Sequence, residues 1–140
     1  TYVRWGERVE SPVINEGEAD ILLAFEQLEA ARYLPYLKKG GVVVTNTQKI
    51  DPMPVITGAA AYPAALLEKI EAAGVRLTAV DALRLAEEAG SQKAVNVVLI
   101  GAMASSLDIP EESWLSAIEK TVPAKFLDMN KRAFALGYRA

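Results

Sequence analysis

Ile21-Leu22-Leu23-Ala24 and Val42-Val43-Val44-Thr45 are two short apolar runs, and residues 25 to 41 between them have the marks of a helix. Apolar runs of four without polar alternation fit strands buried on both faces, the usual state in a parallel sheet. In the intervening segment Leu28, Ala31 and Leu34 form one helical face, counted from about Phe25. Glu26 and Glu29 fall in its first turns, where a carboxylate meets the positive end of the helix dipole. Pro35 breaks or kinks this helix. Lys38 and Lys39 lie near its end, with Gly40-Gly41 as the stop. Strand, helix, strand with an apolar stripe predicts a βαβ unit.

Downstream, the chain repeats the theme. Val55-Ile56 is a candidate short strand after the Pro-punctuated loop Asp51-Pro52-Met53-Pro54. Pro63 suits the first turn of a helix carrying Leu66, Leu67 and Ile70, closed by Gly74. Arg76 to Val80 reads as a strand, and Asp81 as the N-cap of a helix over Ala82 to Ala89 that Gly90 stops. Val95, Val98, Leu99, Ala102, Met103 and Ser106 then share one helical stripe, apolar until its last member. Gly101 within it costs about 1 kcal/mol relative to Ala, so its use points to close packing. Asp108-Ile109-Pro110-Glu111 resembles a capping box, opening a helix that buries Trp114, Leu115 and Ile118 and ends at Pro123. Phe126 to Leu136 is the last helix, with Gly137 beyond it.

Upstream, Thr1 to Trp5 reads as a strand, Gly6-Glu7 as a turn and Arg8-Val9-Glu10 as the returning arm of a hairpin. A strand at the first residue, with no initiator Met, gives the expectation that residues precede Thr1; the alternative is simple removal of Met. Strands alternating with helices predict an α/β fold, a three-layer α/β/α sandwich with a mostly parallel or mixed, Rossmann-like sheet. Residues 1–140 are expected to form one domain that lacks its N-terminal part.

The 140 residues contain no Cys and no His, so no Cys or His zinc site, thiolate-bound cluster or Ser-His-Asp nucleophile is available to this chain. No disulfide is possible, nothing resembles a signal peptide and no apolar run nears the roughly 20 residues of a membrane span, so a cytoplasmic, non-membrane protein is expected. A net charge of −3 makes nucleic-acid binding an unexpected function. A hydrophobic fraction of 51% beside 24% charged residues is that of a globular domain.

No phosphate-binding glycine motif or nucleophile elbow is present, and no catalytic or metal-binding residues are assigned. Ligands of open α/β sheets bind beyond the carboxyl ends of the strands. That rule selects Glu26 after the first buried strand, Asn46, Thr47, Gln48 and Lys49 after the second, and Asp81 after the third. Asn46 offers a donor and an acceptor at the mouth of the sheet, or forms a turn. Glu26 faces a ligand or serves the helix dipole. Asn96 starts an apolar helix beside Lys93, where its amide meets a ligand or a partner, or bonds a neighbouring loop. Asn46, Thr47, Glu26 and Asn96 are the candidate ligand-binding residues.

Charge is uneven along the chain. Residues 7 to 29 hold seven acids and one base, and residues 120 to 140 hold five bases and one acid. This asymmetry either orients subunits in an assembly or reflects two solvated faces.

Several phrases are more specific than these patterns. They include Val3-Arg4-Trp5-Gly6-Glu7-Arg8-Val9-Glu10-Ser11-Pro12 and Gly17-Glu18-Ala19-Asp20-Ile21-Leu22-Leu23-Ala24-Phe25-Glu26. Tyr33-Leu34-Pro35-Tyr36-Leu37-Lys38-Lys39-Gly40-Gly41, the strand ending Thr45-Asn46-Thr47, Ala94-Val95-Asn96-Val97 and Pro123-Ala124-Lys125-Phe126 continue the series. In this order, over nearly the whole chain, they resemble the gamma-type domain of 2-oxoacid:ferredoxin oxidoreductases, most of all the indolepyruvate:ferredoxin oxidoreductase beta-subunit branch.

The resemblance implies a subunit of an enzyme that oxidatively decarboxylates a 2-oxoacid to an acyl-CoA and reduces ferredoxin. It implies thiamine diphosphate and iron–sulfur clusters in a partner subunit, CoA as cosubstrate, ferredoxin as an indirect partner and a hetero-oligomer. This chain, not active alone, is then structural and lines the CoA or substrate approach. The family's gamma domain normally begins with a G-x-G-G-Q-G strand-turn-helix, and this sequence starts about where the second strand region would. The alternatives are a fragment of a Rossmann-type nucleotide-binding reductase and a non-catalytic interaction module.

Overall fold

The structure, a computed structural model, describes residues 1–140. Its three strands are β1 (Ala19–Ala24), β2 (Leu37–Asn46) and β3 (Arg76–Val80), all parallel and in the order β1-β2-β3. The helices are α1 (Gln27–Tyr33), α2 (Met53–Ile56), α3 (Leu66–Ala72), α4 (Ala82–Ala89), α5 (Val95–Ala104), α6 (Glu111–Thr121) and α7 (Leu127–Tyr138). No helix is long and apolar enough to cross a membrane.

Successive residues of a strand point to opposite faces, and β2 shows what that does. Val42 and Val44 enter one core with Val80, Leu85, Val98, Leu99 and Phe134, under α4, α5 and α7. Val43 enters a second core with Ala30, Leu37 and Ile70, under α1 and α3. The sheet is therefore buried on both faces, giving the three layers and explaining the unbroken Val42-Val43-Val44 run. Gly101 of α5 lies in close contact with α7, as its place in an apolar helix implies. β3, α4, the Asp81 cap and the Gly90 stop match the expectations.

Several expectations are corrected. Residues 1–18 contain no strand; instead of a ladder, the Arg4 guanidinium donates to the carbonyl oxygens of Val13, at 2.7 Å, and Ser11, at 3.4 Å. The expected hairpin buries little: Val3 and Trp5 are 67% and 66% exposed, and two unsupported strands are marginal in water. Glu26 is not inside α1 but is its N-cap, in extended geometry.

Lys38 to Gly41 are not a helix end. α1 stops at Tyr33, a 3₁₀ turn carries Pro35, and these residues lie in β2. There the register shifts from Ala19 opposite Leu37 to Ile21 opposite Val42, and Gly40 at φ +74° absorbs the irregularity. Val55-Ile56 is helical, in a single turn with Pro54 in its first positions, where a fixed φ suits a helix. α3 starts at Leu66 rather than Pro63. α6 has Pro110 at its N-cap and no side-chain cap, so the capping box at Asp108 does not form. Gly137 lies inside α7, not beyond it.

Candidate functional site

All three strands point their carboxyl ends to one edge, where Phe25-Glu26, Thr47 to Ile50 and Asp81 emerge. Glu26, buried at 5% exposure, organises this edge. Its Oε2 accepts from the Glu29 amide at 3.0 Å, capping α1. Its Oε1 accepts from the Ile50 amide at 3.3 Å and from the Tyr62 hydroxyl. Burial, then the hydrogen bond to Glu26 and the charge of Glu26, push the Tyr62 phenol above the usual tyrosine range. The Lys49 ammonium sits 5.8 Å from the centre of the Tyr62 ring.

Gln27 ties the same loop to α1. Its Nε2 donates to the Thr47 carbonyl at 2.5 Å and its backbone amide to the Gln48 carbonyl at 3.4 Å. Asn46, 1% exposed, accepts at Oδ1 from the Ala82 amide at 3.2 Å and donates through Nδ2 to the Gln48 Oε1 at 3.2 Å. Asp81 accepts from the Arg84 amide at 3.1 Å, so α4 has two caps from two strands' ends.

Glu26, Asn46 and Thr47 are thus brought together, with Asp81 beside them. Asn96 is not: it is exposed at the start of α5, after Gly90 closes α4, whereas Asn46 caps the opposite end of that helix. An eight-residue helix spans about 12 Å, which sets the scale of the separation. Gln27 and Tyr62 complete the edge and were not singled out by the strand-end rule. Gln27 carried a weak signal as a polar residue one position past Glu26; Tyr62 carried none.

Carboxylates already occupy the N-termini of α1 and α4, where the helix dipole would otherwise favour an anion. The side chains of the edge that bond nothing within the chain are the Thr47 hydroxyl and the Lys49 ammonium. No group of three or more Asp, Glu, Cys or His side chains is placed to hold a metal ion. An open cleft of about 390 Å³ lies elsewhere, between the arms of the N-terminal segment and lined by Tyr2, Val3, Arg4, Val9 and Glu10.

The model of the pyruvate ferredoxin/flavodoxin oxidoreductase family matches residues 1–140. This chain belongs to that family. It is 46% identical over 144 residues to the indolepyruvate oxidoreductase subunit IorB of Thermococcus kodakarensis, covering 99% of this chain and 71% of that protein. The IorB subunit of Pyrococcus horikoshii is 44% identical over 146 residues, covering 99% and 71%. Among solved structures, the keto/oxoacid ferredoxin oxidoreductase gamma subunit of Geobacter sulfurreducens superposes with a TM-score of 0.64 at 25% identity, over 91% of this chain and 66% of that one. The chain therefore spans about two thirds of that structural relative's length. The gamma-type α/β architecture is shared, and the family's members are oxidoreductase subunits that work as parts of complexes.

Proposed function

We propose that this chain is the cluster-free gamma-type subunit of an indolepyruvate- or arylpyruvate-type 2-oxoacid:ferredoxin oxidoreductase. The complex converts a 2-oxoacid, CoA and two oxidised ferredoxins to an acyl-CoA, carbon dioxide, a proton and two reduced ferredoxins. The observation that carries this reading is the family match along the whole chain, joined to IorB identities above 40%.

Thiamine diphosphate supplies the carbanion chemistry of such a complex and iron–sulfur clusters take its electrons. The residues of this chain do not fit a cluster: it has neither thiolates nor imidazoles, and its carboxylates do not converge. We assign both cofactors to a partner subunit, in a cytoplasmic hetero-oligomer that hands electrons to ferredoxin. What this chain contributes is a scaffold and an edge. We place the carboxyl edge around Glu26, Asn46 and Thr47 on the approach of CoA or the 2-oxoacid, with Asn96 on a separate surface.

The nucleotide-binding reductase reading is not favoured, because the family model and the IorB relatives match along nearly the whole chain. Affinity purification of the full-length protein from its native source tests the proposal. A larger subunit bearing thiamine diphosphate and iron is expected to accompany it, with indolepyruvate preferred to branched-chain 2-oxoacids. Recovery of the chain alone, without an oxidoreductase subunit, would contradict the assignment.

A further inference from the structure

Glutamate is an unusual choice at the N-cap of α1. Ser, Thr, Asp and Asn cap best, because a short side chain reaches back to the helix amides with little loss of freedom. Glu26 caps with one oxygen only. Its longer side chain leaves Oε1 facing away from α1, and that oxygen takes the Ile50 amide and the Tyr62 hydroxyl. These two donors bracket residues 50–62, the segment that leaves the carboxyl edge. A second tie, from Gln27 to the carbonyl oxygens of Thr47 and Gln48, holds the residues just before it. Lys49 lies between these ties, exposed, with its ammonium against the Tyr62 ring.

We propose that Glu26 is a positioning residue: through Oε1 it holds residues 48–62 across the edge and, by way of Tyr62, sets the Lys49 ammonium to meet an anionic group of an incoming substrate. That group is the carboxylate of the 2-oxoacid or a phosphate of CoA. This part rests on the edge lying on a substrate approach, as proposed above. The buried carboxylate does not itself receive the anion; both of its oxygens already accept hydrogen bonds.

Two conservative substitutions separate this role from simple capping. Glu26→Asp keeps the charge and improves the residue type at the N-cap, but is one methylene too short to serve both sides. Tyr62→Phe keeps the ring beneath Lys49 and removes only the hydroxyl. In the assembled complex, both are expected to raise the KM of one of the two substrates about fivefold, with kcat within about twofold and the folded complex retained. Lys49→Gln is expected to raise the same KM, and adding Tyr62→Phe to it to add little. Separate KM values for CoA and the 2-oxoacid identify which anion is met.

Amide hydrogen exchange over residues 48–62 reads the positioning directly, and should accelerate in Glu26→Asp and Tyr62→Phe. Unchanged exchange in both overturns the proposal. So does a KM that rises in Lys49→Gln but in neither of the other two. Faster exchange with no KM moved by any of the three supports the fixing of the segment and overturns instead the reading of the edge as a substrate approach.

Discussion

Gly137 of α7 lies directly against the backbone of Val98 in α5: a Cβ built on Gly137 would stand 1.9 Å from the Val98 carbonyl oxygen. The contact is matched one turn away, where a Cβ on Gly101 would stand 2.3 Å from the Phe134 carbonyl oxygen. Two glycines facing opposite backbones let the helices approach without side chains between them. They also bring Val98, Leu99, Ala133 and Phe134 into the core beneath the sheet.

Gly137→Ala should therefore destabilise the domain. Alanine favours the helix by about 1 kcal/mol at an open position, but here a methyl group must displace backbone, and overpacking costs about 1–3 kcal/mol or more. Denaturant unfolding is expected to show a net loss, with Gly101→Ala behaving alike. A neutral or stabilising result would show that the two helices separate freely.

Asn46 joins β2 to α4 from a fully buried position. Asn46→Leu leaves the Ala82 amide without its acceptor, and an orphaned buried donor costs about 1–3 kcal/mol. Asn46→Asp retains that acceptor and should lose less. Urea midpoints of the two variants check the order; equal losses would mean that the Ala82 bond carries none of the effect.

Glu119 and Lys131 join α6 to α7 by a 2.5 Å contact, and the hydrogen bond and charge of Lys131 hold the Glu119 carboxyl below the usual range. A carboxylate depressed in the folded state adds stability above its unfolded pKa, and this is lost as pH falls through the folded value. Lys131→Met should thus lower the thermal midpoint at neutral pH, with the gap to the parent closing below about pH 4. A gap that persists in acid would assign it to packing.

Tyr62 gives the opposite slope. Its phenol is raised, so its contribution is complete below the ordinary tyrosine value of about 10 and is lost as pH rises above it. Tyr62→Phe should flatten the alkaline fall in stability above about pH 10 relative to the parent. An unchanged alkaline limb would mean that the hydroxyl is not held by Glu26.

Local chemistry was legible in the sequence and long-range closure was not. The strand over Arg76 to Val80, the Asp81 cap and the tight Gly101 depend on neighbours within a turn or on apolar spacing, and each matches the structure. The Gly40-Gly41 pair was misread because a helix stop and a strand irregularity call for the same residue; only the pairing with β1 distinguishes them. The hairpin over residues 1–10 has strand-like residues but no surface to pack on. The rule of strand carboxyl ends selected Glu26, Asn46 and Thr47, which the fold brings to one edge. It could not find Tyr62, which reaches Glu26 from 36 residues away, nor show that α4 stands between Asn46 and Asn96.

The division of labour between this chain and a redox partner is tested most directly by reconstitution. Full-length protein, the thiamine diphosphate- and iron–sulfur-bearing subunit, and the two combined are each given indolepyruvate, CoA and oxidised ferredoxin, and ferredoxin reduction is followed by absorbance. Sustained turnover is expected only from the combination, with neither thiamine diphosphate nor iron retained by this chain alone. Ferredoxin reduction by this chain without the partner would contradict the account.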